Sequence, residues 1–178
     1  MIIGLSGYAQ TGKDTIADYL VKNHKFTRVA YADPIREALF ELDPIVTIAS
    51  GVPVTLKPVI DLYGWDEAKT LFPEVRRLIQ RFGTEVGREL WHQNFWVRQA
   101  FAKFDYHKNN IVITDVRFIN EAAAIRGSGG PIWRVTRNGV EPVNPHSSEV
   151  ALDNFDFDAV IENNGSLNSL YAIVDSLL

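Results

Sequence analysis

Short apolar runs alternate along this chain with segments in which apolar residues recur at helical spacing. Five runs are typical of buried strands, and they cover positions 2–5, 26–32, 111–115, 131–137 and 158–162. Helical spacing predicts helices over 13–23, 35–42, 73–91, 91–104, 120–126 and 167–178. Strands that alternate with helices predict a five-stranded parallel sheet covered on both faces, which is a three-layer α/β/α fold.

One stretch, 43–72, does not follow this alternation. It contains Pro44, Gly51, Pro53, Pro58 and Gly64, and we predict loop and short helix there. The 178 residues fit one domain, with a core of about 1–42 and 105–178 and a substrate-binding insert of about 43–104. Such inserts often form lids or substrate arms, although a surface excursion without a role fits equally well.

The loop between the first strand and the first helix has the pattern G-x-x-x-x-G-K. Gly7 and Gly12 stand at its two ends, and Lys13 opens the helix. Backbone N–H groups in such a loop, together with the helix N-terminus, cradle a phosphate, and the lysine reaches the β- and γ-phosphates. The residues predicted to bind the phosphates are Gly7, Ala9, Gln10, Thr11, Gly12, Lys13, Asp14 and Thr15.

Asp14 departs from the usual form of this loop, in which a serine or threonine follows the lysine. A carboxylate beside a polyphosphate is repulsive unless a cation lies between them. Asp14 is therefore predicted to bind Mg²⁺, directly or through water, or to orient the reacting phosphoryl group, with Thr15 next to it. A simpler interpretation is that Asp14 only complements the helix dipole.

Further charged residues follow the predicted strands. Asp115 ends the third strand, where proteins with this loop commonly carry a carboxylate on the metal side. Asp33 precedes Pro34 and is a candidate N-cap of the second helix as well as a candidate ligand contact. The strand-end residues expected near the loop are Asp33, Asp115, Arg117, Arg134 and Arg137.

The segment 73–91 is predicted to be one amphipathic helix. Wound at a helical period, its apolar residues, Leu90 among them, share one face, and Arg77, Arg81 and Arg88 lie on the opposite face. Such a stripe is either a solvated face or a clamp for a phosphomonoester, and spacing alone leaves both open. Gly83 and Gly87 are costly in a helix and suggest the close approach of a flat base or another backbone.

Composition narrows the class of protein. The chain is 46% hydrophobic, has a formal net charge of −4 and contains no cysteine. We therefore expect a soluble cytoplasmic protein without disulfides, a thiolate metal site, a signal peptide or a membrane span. The acidic balance argues against nucleic acid as a partner but not against a small phosphorylated substrate.

Several motifs together resemble the phage-type deoxynucleoside monophosphate kinases, a branch of the P-loop nucleoside monophosphate kinases. They occupy positions 12–15, 31–36, 78–88, 114–121 and 146–149, so the resemblance covers nearly the whole chain. It implies a P-loop α/β/α fold with helical substrate-binding or lid inserts, and phosphoryl transfer from ATP to a deoxynucleoside 5′-monophosphate with Mg²⁺. It also implies a mobile lid and allows a homodimer. Asp14 is then a normal feature of the loop.

On this basis Lys13, Asp14, Arg117 and Arg137 are predicted catalytic residues, with Arg134 a third arginine that could cover the transferring phosphoryl group. Asp14, Thr15 and Asp115 are predicted to hold Mg²⁺. The predicted contacts to the acceptor nucleotide are Asp33, Arg36, Arg77, Arg81, Glu85, Arg88 and one of Trp91 and Trp96. Two alternatives remain: a P-loop kinase of a non-nucleotide phosphate ester, such as a phosphomevalonate-like acceptor, and a nucleotide-binding module with little turnover.

Overall fold

The structure is a computed structural model that describes residues 1–47, 51–104, 108–143 and 146–178. Its helices are α1 (Lys13–His24), α2 (Asp33–Leu42), α3 (Leu56–Leu71), α4 (Pro73–Arg81), a π-helix (Phe82–Trp91), α5 (Phe95–Ala102), α6 (Ile119–Gly127), α7 (Ser147–Val150) and α8 (Leu167–Ser176). Its strands are β1 (Ile2–Ser6), β2 (Phe26–Val29), β3 (Ile45–Thr47), β4 (Pro53–Thr55), β5 (Asn110–Ile113), β6 (Ile132–Thr136) and β7 (Ala159–Glu162). No helix among the described ranges has the length and apolar character needed to cross a bilayer.

The five strands predicted from the sequence form one parallel sheet. Its order is β2-β5-β1-β6-β7, with β1 in the centre. Successive residues of β1 point to opposite faces, so Ile2 joins one apolar cluster and Ile3 and Leu5 join another. Residues of α5 and α6 complete the first cluster, and residues of α1 and α8 complete the second. The predicted three-layer α/β/α fold is confirmed.

The chain divides into two compact units. One comprises residues 1–31 and 97–178 and contains the parallel sheet, and the other comprises residues 32–96. The second unit has its own buried cluster, in which Leu39, Val46, Leu56 and Trp96 are almost fully covered. The sequence-based boundaries of the insert, 43 and 104, remain a prediction.

The segment 43–72 is more regular than its prolines and glycines predict. Apart from residues 48–50, which lie outside the described ranges, it holds the antiparallel pair β3–β4 and the helix α3 of 16 residues. Gly64 interrupts α3 with a φ of 66°, so two helical pieces follow one another there. The predicted short helix is present as two pieces on either side of Gly64, whereas the antiparallel strand pair was not predicted. Each helical piece buries apolar residues, such as Ile60 and Ala68, that the local turn signals do not reveal.

The helix predicted over 73–91 changes type part-way. Only α4 is α-helical, and from Phe82 onward the backbone forms a π-helix, whose i→i+5 hydrogen bonds widen the turn. A winding of 100° per residue then assigns the wrong faces. Leu90, predicted on the apolar face, is 73% exposed, and Arg88, predicted on the opposite face, is 8% exposed.

Gly83 and Gly87 face side chains of their own unit. A Cβ on Gly87 would lie 2.2 Å from Nε1 of Trp96, and the same Nε1 donates a hydrogen bond to the carbonyl of Gly83 at 2.7 Å. The close approach suggested by these glycines is therefore made by the Trp96 indole. The π-helix and the start of α5 depend on this contact.

The substitution Gly87→Ala is expected to destabilise the protein by about 1–3 kcal/mol, because the added methyl group overpacks the Trp96 ring. Urea unfolding followed by circular dichroism measures the loss. Gly127→Ala is the matched control, since a Cβ there meets nothing within 4 Å at the end of α6. Equal unfolding midpoints for G87A and G127A would show that Gly87 does not pack against the indole.

Candidate active site

The loop after β1 requires glycine at both ends for reasons of packing. Gly7 has a φ of 142° and Gly12 a φ of 105°, values that side chains disfavour. A Cβ on Gly7 would lie 2.3 Å from the carbonyl oxygen of Val135 on β6, and one on Gly12 would lie 2.3 Å from Nδ2 of Asn163. Asn163 in turn donates to the carbonyl of Thr11 at 2.9 Å. The loop is thus pinned between β6 and the residue that follows β7.

Lys13 lies at the start of α1 with its ammonium turned back into the loop. Nζ donates to the carbonyls of Gly7 at 2.8 Å and Tyr8 at 2.6 Å. Burial and, to a smaller extent, the nearby positive charge of Arg117 lower the pKa of Lys13 to about 8, against the opposing influence of Asp14, Asp115 and Glu149. The loop therefore holds a cation that would gain from a bound anion.

The residues predicted to hold Mg²⁺ have different surroundings. Asp14 is exposed in the first turn of α1 and pairs with Arg28 of β2, which also reaches Asp18 at 3.5 Å. Oδ1 of Asp115 accepts a hydrogen bond from the backbone N–H of Tyr31 at 2.7 Å. Within the described ranges no group of three or more acidic, histidine or cysteine residues could hold a metal ion by itself.

The three strand-end arginines differ in what holds them. Nη1 of Arg117 donates to Oε1 of Glu149 at 2.7 Å and to the carbonyl of Ser148 at 3.0 Å. Burial disfavours the charged Arg117, but Glu149, Asp115 and Glu121 outweigh this effect and raise its pKa. Arg137 follows β6 and is exposed.

Arg134 supports the loop. Its guanidinium lies over the ring of Tyr8, 4.8 Å from the centroid, and 5.5 Å from the ring of Phe157. It also donates to Asp153 at 3.0 Å, and the same carboxylate accepts a hydrogen bond from the Tyr8 hydroxyl at 2.9 Å. With these partners, Arg134 fixes Tyr8 and hence the backbone of the phosphate loop.

In the second unit, Arg36 belongs to a group of basic residues on three neighbouring helices. Arg36 lies on α2, Lys69 in the last turn of α3 and Arg76 on α4. Burial lowers the pKa of Lys69, and the charges of Arg36 and Arg76 lower it further, while Asp66 opposes them. Arg36 contacts Asp33 at 3.3 Å, yet its Nε is a buried donor that has no hydrogen-bond partner among the residues that the structure describes.

Asp33 does not cap α2. The helix begins at Asp33 itself, Ala32 occupies the N-cap position without a side-chain hydrogen bond, and Pro34 is the second helical residue. The predicted cap was wrong by one position because proline is tolerated anywhere in the first turn, where backbone N–H groups have no helical partner. Asp33 instead complements the positive end of the helix and pairs with Arg36.

The predicted arginine stripe is divided among separate contacts. Arg77 pairs with Glu74 on the surface of α4, and Arg81 pairs with Glu85 at 2.8 Å, also exposed. Arg88 is buried, and its Nη1 donates to the carbonyl of Gln93 at 3.1 Å.

Of the two tryptophans predicted to contact a base, Trp96 is 3% exposed and Trp91 is 50% exposed. Both belong to an aromatic group with Phe82 and Phe95. Trp91 is therefore the one with a ring surface open to a ligand. The indole N–H of Trp96 already donates a hydrogen bond to the carbonyl of Gly83.

Sequence reasoning gave no role to four residues that shape these groups: Tyr8, Lys69, Glu149 and Asn163. The motif at 146–149 could have pointed to Glu149, because a short polar motif after a long loop has no packing reason of its own. Lys69 gave no signal, because it lies in the segment where the sequence predicted only loop and short helix without fixed bounds.

Comparison with known proteins adds an independent observation. The model of the family "Deoxynucleotide monophosphate kinase" matches residues 66–174, a range that lies outside the phosphate loop. This chain belongs to that family. The match includes Asp115, Arg117 and Glu149 of the parallel-sheet unit and Lys69 and Arg88 of the other unit.

Individual relatives are distant in sequence, and two of the three described here match over nearly the full length of both chains. The deoxynucleotide monophosphate kinase of Escherichia phage RB69 is 26% identical, over 99% of this chain and 99% of its own. A protein of Acanthamoeba polyphaga mimivirus, provisionally given the same kinase name, is 28% identical over 99% and 95%. The deoxynucleoside-5′-monophosphate kinase of Escherichia phage T5 is 26% identical over 71% and 72%.

The lowered pKa of Lys13 predicts a specific dependence of stability on pH. The unfolded chain binds this proton up to about pH 10.5 and the folded chain only up to about pH 8, so protonated Lys13 destabilises the fold below pH 8. Lys13→Met should remove a penalty of about 1–3 kcal/mol at pH 7. Its free energy of unfolding relative to wild type should fall by that amount between pH 8 and pH 10.5.

Urea unfolding at several pH values measures this difference. Lys22→Met is the matched control, because Lys22 is exposed near the end of the same helix. Parallel pH profiles for wild type and K13M would contradict the environment described for Lys13.

Proposed function

We propose that this chain transfers the γ-phosphoryl group of ATP to deoxynucleoside 5′-monophosphates, giving ADP and deoxynucleoside diphosphates. The observation that carries the proposal is the family match over residues 66–174. The phosphate loop, which that match does not include, supports it independently. The match also disfavours the non-nucleotide acceptor and the low-turnover module.

The loop fits the triphosphate of the donor. The glycines pack the loop against β6 and Asn163. We propose that its backbone N–H groups, together with the start of α1, cradle the phosphates. Lys13 is already directed into the loop, and a phosphate would replace the carbonyls as the partner of its ammonium. Ala9, Gln10, Thr11 and Thr15 complete the proposed donor site.

Mg²⁺ fits the oxygen donors near this loop. We propose that Thr15, Asp115 and Asp14 hold the ion or its waters, because Mg²⁺ prefers oxygen ligands and usually takes one or two carboxylates together with substrate phosphates. When bound, the ion neutralises charge on the β- and γ-phosphates. Asp14 can keep its contact with Arg28 through Oδ1 and offer its second carboxylate oxygen to the ion or its waters.

The acceptor monophosphate is best matched by Arg36 and Lys69. Among the described residues the buried Nε of Arg36 has no acceptor, which is costly for a guanidinium, and a phosphate oxygen would satisfy it. Lys69 pairs with Asp66 at 2.7 Å, yet it is held in a positive environment that an anion would relieve. Arg77 and Arg81 are weaker candidates because both are more exposed than Arg36 and Lys69 and each forms a surface pair with a glutamate, and Arg88 is buried.

The residues that contact the base and sugar of the acceptor remain hypotheses. Trp91 offers an exposed ring for stacking, and Glu85 and Asp33 offer carboxylates for hydrogen bonds. Trp96 contributes by fixing the π-helix that carries Trp91.

The reaction itself needs little besides positioning and neutralisation of charge. An oxygen of the acceptor phosphate bonds to the γ-phosphorus of ATP as the bond from that phosphorus to the β–γ bridging oxygen breaks, and ADP keeps the bridging oxygen. No general base is required, because the acceptor oxygen is already ionised at neutral pH. Lys13 and Arg117 or Arg137 stabilise the charge on the transferring group.

We further propose that the protein acts in the cytoplasm, which would be that of the host if the chain is of phage origin, on nucleotides and without nucleic acid as a partner. The relatives from phages support this setting. A homodimer is the assembly that the family resemblance allows, and sedimentation equilibrium of the purified chain tests it.

The function is tested by an ADP-release assay with ATP, Mg²⁺ and each of the eight ribo- and deoxynucleoside monophosphates. We expect turnover with deoxynucleotides and its loss in Lys13→Ala, because the ammonium contacts the transferring phosphate. Circular dichroism verifies that K13A is folded. ADP release that does not depend on any nucleotide acceptor would refute the proposal.

The acceptor site is tested by comparing Arg36→Gln with Arg81→Gln. We expect R36Q to raise the KM for the deoxynucleotide about 10- to 100-fold, the loss of one charge-assisted contact of about 1.5–3 kcal/mol, with little change in the KM for ATP. Arg126→Gln, which removes an arginine paired with Asp158, is the control. A larger effect of R81Q than of R36Q would move the acceptor phosphate to the arginine stripe.

A further inference from the structure

Glu149 is a carboxylate that the protein buries almost completely. Its side chain is 2% exposed, and its Oε1 accepts the hydrogen bond from Nη1 of Arg117 at 2.7 Å. Taking two charges out of water is costly, and apolar residues of similar volume usually stabilise a fold as well as a buried ion pair. Stability alone therefore gives little reason for this pair.

The pair is asymmetric in its exposure. The Arg117 side chain is 35% exposed, whereas Glu149 lies behind it in the interior. Both hydrogen bonds of the guanidinium, to Glu149 and to the carbonyl of Ser148, use Nη1. Nε and Nη2 make no hydrogen bond within the described ranges, so one edge of the guanidinium is fixed and the other is available to a phosphate.

The backbone of Arg117 is also fixed. Oε2 of Glu121 accepts from the N–H groups of Arg117 at 2.7 Å and Phe118 at 3.0 Å. The side chain and the main chain of Arg117 are thus held by two buried carboxylates, on α6 and α7.

The helix that carries Glu149 is itself anchored. α7 has only four residues, and His146 caps it by accepting from the backbone N–H of Ser148 at 3.2 Å. Nδ1 of His146 also lies 2.8 Å from the Ser148 hydroxyl. A single turn of helix would otherwise be unstable in isolation, so these contacts serve to keep Glu149 and the Ser148 carbonyl in place.

We propose that Glu149 is a positioning residue that holds the guanidinium of Arg117, from behind, toward the phosphate loop, so that Nε and Nη2 meet the transferring phosphoryl group. Arg117 is the catalytic residue and Glu149 acts through it. This inference rests on the proposed function. The positive charge of Arg117 contributes to the lowered pKa of Lys13, which agrees with the two cations being close.

The test uses Glu149→Gln, which keeps the shape of the side chain and removes its charge. We expect kcat to fall about 10- to 100-fold, because displacement of a catalytic group by about 1 Å has an effect of this size. The KM values for ATP and the deoxynucleotide should change less than about threefold, since the contact is made in the transition state. Glu149→Asp keeps the charge but retracts it, and should give an intermediate kcat.

A binding measurement separates positioning from folding. ADP with aluminium fluoride and a deoxynucleoside monophosphate mimics the transferring phosphoryl group, and calorimetry measures its affinity without turnover. E149Q should bind this combination at least about tenfold more weakly than wild type while it binds ADP alone equally well. The effect should be much smaller in an Arg117→Met background, because the hydrogen bond to Arg117 is the contact through which Glu149 acts on the phosphoryl group.

Asp158→Asn is the matched control, an isosteric change at another carboxylate paired with an arginine in the same unit. Wild-type kcat in E149Q, or equal losses in E149Q and D158N, would overturn the inference. Should E149Q fail to fold, wild-type kcat in E149D would overturn it as well. Wild-type protein without kinase activity would refute the proposed function, whereas active wild type with equally active E149Q refutes only the role of Glu149.

Discussion

The structure depends on one electrostatic constraint: it holds the Lys13 ammonium in a half-buried loop close to a second cation, Arg117. Both burial and the like charge disfavour protonated Lys13. Asp14, Asp115 and Glu149 offset this cost only in part, so the pKa still lies well below that of an exposed lysine. The protein alone supplies too little negative charge at this site. The site is therefore suited to an anionic ligand such as a triphosphate.

The rest of the parallel-sheet unit can be understood as support for that arrangement. Gly7 and Gly12 let the loop run against β6 and Asn163, and Arg134 with Asp153 fixes Tyr8 from the other side. The side chain of Asp115 accepts a hydrogen bond from the backbone N–H of Tyr31. These contacts involve backbone and side chains that are far apart in the sequence, which explains why the loop is placed by the sheet and not by its own residues alone.

The sequence predicted the features that depend on local pattern. The five strands, the helices around them and the loop at residues 7–15 follow from runs of apolar residues and from glycine spacing, and all are present. The π-helix was not predictable from local spacing, and its wider turn changes the faces assigned to Arg88 and Leu90. Its Gly83 and Gly87 lie against Trp96, a contact that the local pattern does not reveal. The pairing of Asp14 with Arg28 could not be predicted either, because it joins helix α1 to strand β2 and depends on how the fold places them.

Arginine residues show most clearly why residue type and spacing are not sufficient. Arg81 pairs with Glu85 one turn along the same exposed surface, and a pair of that kind contributes little because water screens it. Arg134 is covered by aromatic rings and stabilises a loop. Arg117 alone of these three is tied on one side to a buried carboxylate and open on the other. The partner of each guanidinium, and the exposure of that partner, decide whether the charge is left for a substrate, and neither can be read from the spacing of arginines along the chain.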